Sequence, residues 1–134
     1  MSLMKVFNIS GSAVSAQSQR LNVVASNLAN AESVAGPDGQ TYKARQVVFQ
    51  STPTKDGGTG VRVSTIAEDN SPAKRVFEPG HPMADQTGHI TQSNVNVVEE
   101  MVNMISASRS YQNNVEVMNT ARSLLQKTLQ MGQS

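Results

Sequence analysis

Any chemistry in this chain has few residues to rest on, beginning with its two histidines, His81 in Pro79-Gly80-His81-Pro82 and His89 after Gly88. A metal site needs at least three converging ligands, and Asp85 is the one obvious third. Set among Gly and Pro, these residues read better as turn formers than as ligands. Glu99 and Glu100 resemble a carboxylate pair, but neighbours on a helix point about 100° apart, so they do not converge on one bond. Glu68, Glu78 and Asp85 are scattered through a loop-rich region and offer a hydrolase no recognisable pair. Gly57, Gly58 and Gly60 precede a strand, whereas a phosphate-binding loop lies between a strand and a helix. Cysteine is absent, which removes disulfides, thiolate metal sites and a thiol nucleophile together. The expectation is a protein that is not an enzyme, with no catalytic residues, no metal, no cofactor and no small-molecule substrate.

The elements around these residues are more informative. Phe7, Val14, Leu21 and Leu28 recur at intervals of seven, with Val24 and Ala31 on the same stripe. Near the other end, Val97, Met101, Met104, Ser108, Tyr111, Val115, Met118, Arg122, Leu125 and Leu129 step by four, then by three and four in alternation. That spacing is the seam of a coiled coil, and each stripe predicts a helix, over 5–30 and 96–131. Asn96 is placed as an N-cap with Glu99 three residues on, and Gly132 marks the stop. The second helix then extends about 50 Å. Its methionines fill the seam or give an adaptable contact to neighbours.

Between the helices the chain changes character. Thr41–Gln50, Val61–Ala67 and Ala73–Phe77 read as short strands, separated by Asp56-Gly57-Gly58-Thr59-Gly60 and Asn70-Ser71-Pro72. So small an insert buries little surface alone and must lean on the helices or on other chains. The predicted fold is α+β: two long terminal helices packed as an antiparallel coiled coil, with a small irregular β-rich insert between them. The segments run 1–31, 32–93 and 94–134. Met1 to Leu3, ahead of Met4, read as an added leader.

Composition excludes several classes. The chain has 134 residues and a net charge of +1, with its basic residues scattered, so it lacks the positive field that nucleic-acid binding requires. No apolar run approaches the roughly 20 residues that span a bilayer, and Lys5 is not followed by the apolar stretch of a secretory signal. Outside its apolar stripe the first helix carries Ser, Asn and Gln with hardly any charge, from Ser12 to Asn30. A helix exposed to water normally carries more charge. Ser and Asn also compete for backbone hydrogen bonds, so this helix forms fully only when covered.

Two stretches carry a family resemblance. Ser26-Asn27-Leu28-Ala29-Asn30-Ala31 resembles the motif near the N-terminus of bacterial flagellar rod and hook proteins. Ser93-Asn94-Val95-Asn96-Val97-Val98-Glu99-Glu100-Met101-Val102, with Ser106-Ala107-Ser108-Arg109-Ser110-Tyr111-Gln112, is similar to the C-terminal motif of that family. The short length, with Gly11-Ser12-Ala13 and Ala16-Gln17-Ser18, is most similar to its proximal-rod members; Met83 departs from the family at a position where an acidic residue is expected after His81-Pro82. The resemblance implies a structural subunit of the proximal rod, assembling helically with copies of itself and other rod subunits into a hollow, torque-transmitting shaft. It further implies contacts with membrane-ring and export-gate proteins at the rod base, a periplasmic position in the basal body, and export by the flagellar type III apparatus without a cleaved signal. Helix pairing and assembly then fall to Phe7, Val14, Leu21, Val24, Leu28, Val97, Met101, Met104, Tyr111, Val115, Met118 and Leu125, with Asn27 and Asn30 hydrogen bonding between subunits. A soluble coiled-coil adaptor is the alternative, which more charge on both helices would favour.

Overall fold

The structure is a computed structural model and describes residues 2–132; the terminal residues 1, 133 and 134, included in the predicted segments, lie outside that range. Six elements follow in order: α1 (Leu3–Ala29), β1 (Arg45–Pro53), β2 (Thr59–Glu68), β3 (Lys74–Phe77), β4 (His89–Gln92) and α2 (Val97–Gly132). Both helices therefore lie close to their predicted limits. Ser2 and Leu3, read as part of an added leader, take part in the start of α1. Ser2 Oγ accepts from the backbone N–H of Lys5 at 3.1 Å and caps the helix, and Leu3 lines an apolar cleft with Phe7, Ala121 and Leu125. At the start of α2, Asn96 Oδ1 accepts from the Glu99 N–H at 3.1 Å, which satisfies one of the amides a helix leaves unpaired at its N-terminus.

The helices run antiparallel. Leu3 and Phe7 of α1 lie beside Ala121 and Leu125 of α2, Gly11 faces Met118, and Arg20, Val23 and Val24 share a groove with Glu100 and Asn103. Along α1 the covered positions include Phe7, Ser10, Val14, Ala16, Gln17, Leu21, Val24, Asn27 and Leu28. Along α2 they include Glu100, Met104, Ala107, Tyr111, Asn114, Met118, Ala121 and Leu125. The α2 positions alternate steps of three and four.

The insert folds as two separate antiparallel hairpins, β1 with β2 and β3 with β4. β4 has no counterpart among the predicted strands, and the first strand begins at Arg45 rather than Thr41. Tyr42 and Ala44 turn inward instead, where Ala31, Ala44 and Val95 form a small core flanked by Tyr42. The β1–β2 turn lies along α1. Ser12 Oγ donates to the Ile9 carbonyl at 2.7 Å and accepts from the Val61 N–H at 3.1 Å, while Asn8 Nδ2 donates to Asp56 at 3.1 Å. A Cβ at Gly60 would stand 2.6 Å from Ser12 Oγ, so glycine sets this close approach. Part of the neutral polar surface of α1 is thus covered by the chain's own insert.

Candidate assembly site

The stretches that resemble the flagellar family meet in space, at the junction where α1 ends, the insert leaves and α2 begins. Asn27 is fully buried. Its Oδ1 accepts from the Arg45 N–H at 3.0 Å and from the Tyr42 hydroxyl at 2.8 Å, and its Nδ2 donates to the Arg45 carbonyl at 2.8 Å. The side chain therefore takes the place of a neighbouring strand for the first residue of β1. From the other motif, Ser93 Oγ donates to the Ala31 carbonyl at 2.8 Å. Asn94 Oδ1 accepts from the Ala44 N–H at 2.8 Å, and its Nδ2 donates to the carbonyls of Asp69 at 2.8 Å and Ser71 at 3.0 Å. Lys74 Nζ donates to the Val95 carbonyl. Three chain segments are locked by side chains bonded to backbone, each bond contributing on the order of 1 kcal/mol, and far more if left unmade in the interior.

In the single chain the two asparagines expected to bond between subunits bond within it. Asn27 is inaccessible, and its hydrogen bonds lie within the chain. Asn30 closes α1 locally, donating from Nδ2 to the Ser26 carbonyl at 2.9 Å and accepting from Ser33 Oγ at 3.1 Å.

Of the residues expected at the helix pairing, Val24 is buried, and Phe7, Val14, Leu21, Leu28, Met104, Tyr111, Val115, Met118 and Leu125 are half-buried. Val97 and Met101 are exposed; Met101 lies toward the outer side of α2, and Val97, three residues before Glu100, stands at the open end of the covered stripe. That outward side does not stand out in the sequence. It carries Val98, Val102 and Ile105, which are 72%, 60% and 57% exposed; farther on, Leu124 is exposed at the edge of a cleft shared with Leu3 and Val6 of α1. The spacing of four and three from Val98 to Ile105 is legible, but the stripe beside it has the same period and more members. Among the described residues no strand packs on α2, and α1 is the one element against it. An unpartnered apolar stripe on a helix of about 54 Å marks an interaction surface.

Beside the junction lies an open groove of about 340 Å³, lined in part by Arg20, Arg45, Phe49 and Glu100. Glu100 is only 5% exposed, and its Oε2 has no hydrogen-bond partner among the described residues. Neither arginine pairs with it; among the described residues the one ion pair is Arg75–Asp85, at 2.7 Å. Placing this carboxylate beside an open groove with no charged partner costs more than the gain of about 0.3–1 kcal/mol from the helix dipole. Glu100→Gln is therefore expected to stabilise the free chain by about 1 kcal/mol, raising the calorimetric Tm by roughly 3–4 °C.

The residues with potential for chemistry build the β3–β4 turn. Asp85 Oδ1 accepts from the N–H groups of Thr87 and His89, both at 2.9 Å, and from Thr87 Oγ1 at 2.7 Å. The His89 N–H, followed by the Thr87 hydroxyl, holds the Asp85 carboxyl well below the usual carboxylate range. His81 Nδ1 accepts from the Met83 N–H at 3.0 Å, and the His89 ring meets Phe77 edge-on at 5.2 Å.

Comparison with known proteins bears on this arrangement. The family model for flagella basal body rod protein matches residues 7–37, and that for the flagellar basal body rod FlgEFG protein C-terminal region matches residues 86–131. The chain is 61% identical over 135 residues to the flagellar basal-body rod protein FlgC of Yersinia enterocolitica, covering 99% of this chain and 100% of the relative. It is 57% identical over 134 residues to FlgC of Salmonella typhimurium, with the same coverage. FlgC of Buchnera aphidicola from Schizaphis graminum is 49% identical over 136 residues, again covering 99% and 100%.

Proposed function

Because the chain belongs to the family of flagellar basal-body rod proteins, as a structural subunit of the proximal rod and not an enzyme, we propose that it assembles through the outward face of α2. In this reading segments 1–31 and 94–134 form the axial layer, paired as a coiled coil, while segment 32–93 faces outward. Copies of the chain and other rod subunits then stack helically around a hollow axis and transmit torque. Heterologous contacts that do not close on themselves give a filament instead of a ring. Val97 and Met101, exposed in the single chain, join Val98, Val102 and Ile105 in contacting neighbours, while Phe7, Val14, Leu21, Val24, Leu28, Met104, Tyr111, Val115, Met118 and Leu125 hold α1 to α2. Membrane-ring and export-gate proteins are the partners at the rod base. The periplasm is the location, reached by type III export without a cleaved signal.

The observation that carries this reading is the bare apolar stripe on α2. Val102→Asp tests it. The substitution lies at an exposed position, so the stability of the purified chain should change by no more than about 0.5 kcal/mol. Cells carrying it should synthesise the protein and fail to swim. Normal swimming would contradict the assignment of this face.

A further inference from the structure

β1 pairs with β2 along one edge, and no strand pairs with its other edge. At Arg45 that edge is already taken, because the Asn27 carboxamide holds both the N–H and the carbonyl as a strand would. In an antiparallel ladder, residues whose backbone groups point away from the partner strand alternate along the chain. Counted from Arg45 they are Val47, Phe49 and Ser51. Val61, opposite Ser51, confirms the alternation across the register shift at Val48/Phe49, since its N–H leaves the ladder for Ser12 Oγ at 3.1 Å. The backbone groups of Val47 and Phe49 make no hydrogen bond outside the hairpin among the described residues. Both residues line the groove of about 340 Å³, together with Arg20, Val23 and Val24 of α1 and Glu100 of α2. Across it β1 and α2 stand apart: no Cα of one lies within 8 Å of a Cα of the other.

We propose that in the assembled rod this groove takes an extended segment of a neighbouring rod subunit, which adds to the open edge of β1 as a further strand. The segment lies about 4.8 Å from β1 and exchanges main-chain hydrogen bonds with Val47 and Phe49, continuing the pairing that Asn27 begins. A bare strand edge is a template for such pairing. A helix in the groove would leave the edge unmet, because its own backbone groups are bonded internally. The face of the segment turned to α1 rests on Val23 and Val24, which suits small or β-branched apolar side chains. Its far edge faces α2, where its backbone groups need partners once water is excluded. Glu100 supplies an acceptor: its side chain is buried, and its Oε2 has no partner among the described residues. Arg20, half-buried and in no ion pair among the described residues, supplies donors for carbonyl groups. The uncompensated carboxylate thus has a use that the helix dipole does not explain. The groove needs α1 in place, and α1 forms fully only when covered, so the site belongs to the rod and not to the free chain. The inference rests on the place of the chain in the rod, and not on the outward face of α2.

Amide hydrogen exchange in isolated intact basal bodies, compared with the purified full-length chain, is the test. The N–H groups of Val47 and Phe49 should exchange at least about 100-fold more slowly in the basal body. Basal bodies containing Glu100→Leu, which leaves the hairpin untouched, should lose at least about threefold of that protection, because the substitution removes a charged acceptor. A second measurement identifies the occupant: benzoylphenylalanine, a photoreactive analogue of phenylalanine, replaces Phe49 in cells that build the rod. On irradiation it should link to an extended segment of a neighbouring rod subunit. Equal exchange in the two states, protection indifferent to Glu100→Leu, no link to another subunit, or a link to a helical segment overturns the proposal. A link from position 49 in rods whose Val102 proves accessible would remove the outward face of α2 and leave the groove standing; a covered Val102 without that link would remove only the groove.

Discussion

Asn27→Leu is expected to lower the stability of the purified chain by roughly 3–5 kcal/mol, a loss near the top of the range for a single substitution. Leucine has nearly the same size, so no cavity opens. The loss comes from the N–H and carbonyl of Arg45, which the carboxamide satisfies in half-buried bonds, while the Tyr42 hydroxyl keeps Ser26 Oγ at 3.0 Å. Each unmade bond costs about 1–3 kcal/mol, and the added apolar contact does not offset two of them. Urea unfolding should show a lower midpoint with an unchanged slope. A shift below about 1 kcal/mol would mean that the junction relaxes freely, and that hydrogen bonding by Asn27 is not what fixes the motif Ser26–Ala31 in place.

Leu21→Asp has the next largest expected effect, and it acts on function as well. Leu21 lies on the covered stripe of α1, between Gln17 and Val24. Aspartate there removes apolar burial and places a charge between the helices, for a loss of roughly 3–4 kcal/mol. Thermal unfolding of the variant should begin at markedly lower temperature, and cells should make the protein yet not swim. Swimming at the normal rate would remove Leu21 from the helix pairing.

The parts of the fold visible in the sequence are those fixed by local pattern. Helix limits follow from periodicity and from Asn96, whose side chain caps α2. The β1–β2 hairpin follows from β-branched residues around a glycine-rich turn. The stripe on α2 is legible at Met104, Tyr111, Met118 and Leu125, but the covered positions between them are Glu100, Ala107, Asn114 and Ala121, each one residue before Met101, Ser108, Val115 and Arg122. A pattern built on larger apolar residues passes over the alanines, yet small side chains let helices approach closely. Met101 thereby falls toward the outer side. β4 escapes notice because its four residues hold a single large apolar one, Ile90. Asn27 and Asn94 act through backbone groups 18 to 50 residues away. Local periodicity contains no trace of such pairings, although the motifs that contain both residues already mark the junction.

Contact between the outward face of α2 and neighbouring rod subunits requires Val102 to be covered in the assembled rod. Since the chain has no cysteine, Val102→Cys gives a single thiol on the apolar part of that face. The most direct measurement is the reactivity of this thiol toward a maleimide in intact isolated basal bodies, compared with the purified chain. The thiol of this variant is expected to be labelled readily in the free chain, to be protected in the basal body, and to be linked to an adjacent rod subunit by a short bifunctional reagent. Equal labelling in both states, with no cross-linked product, would contradict that contact.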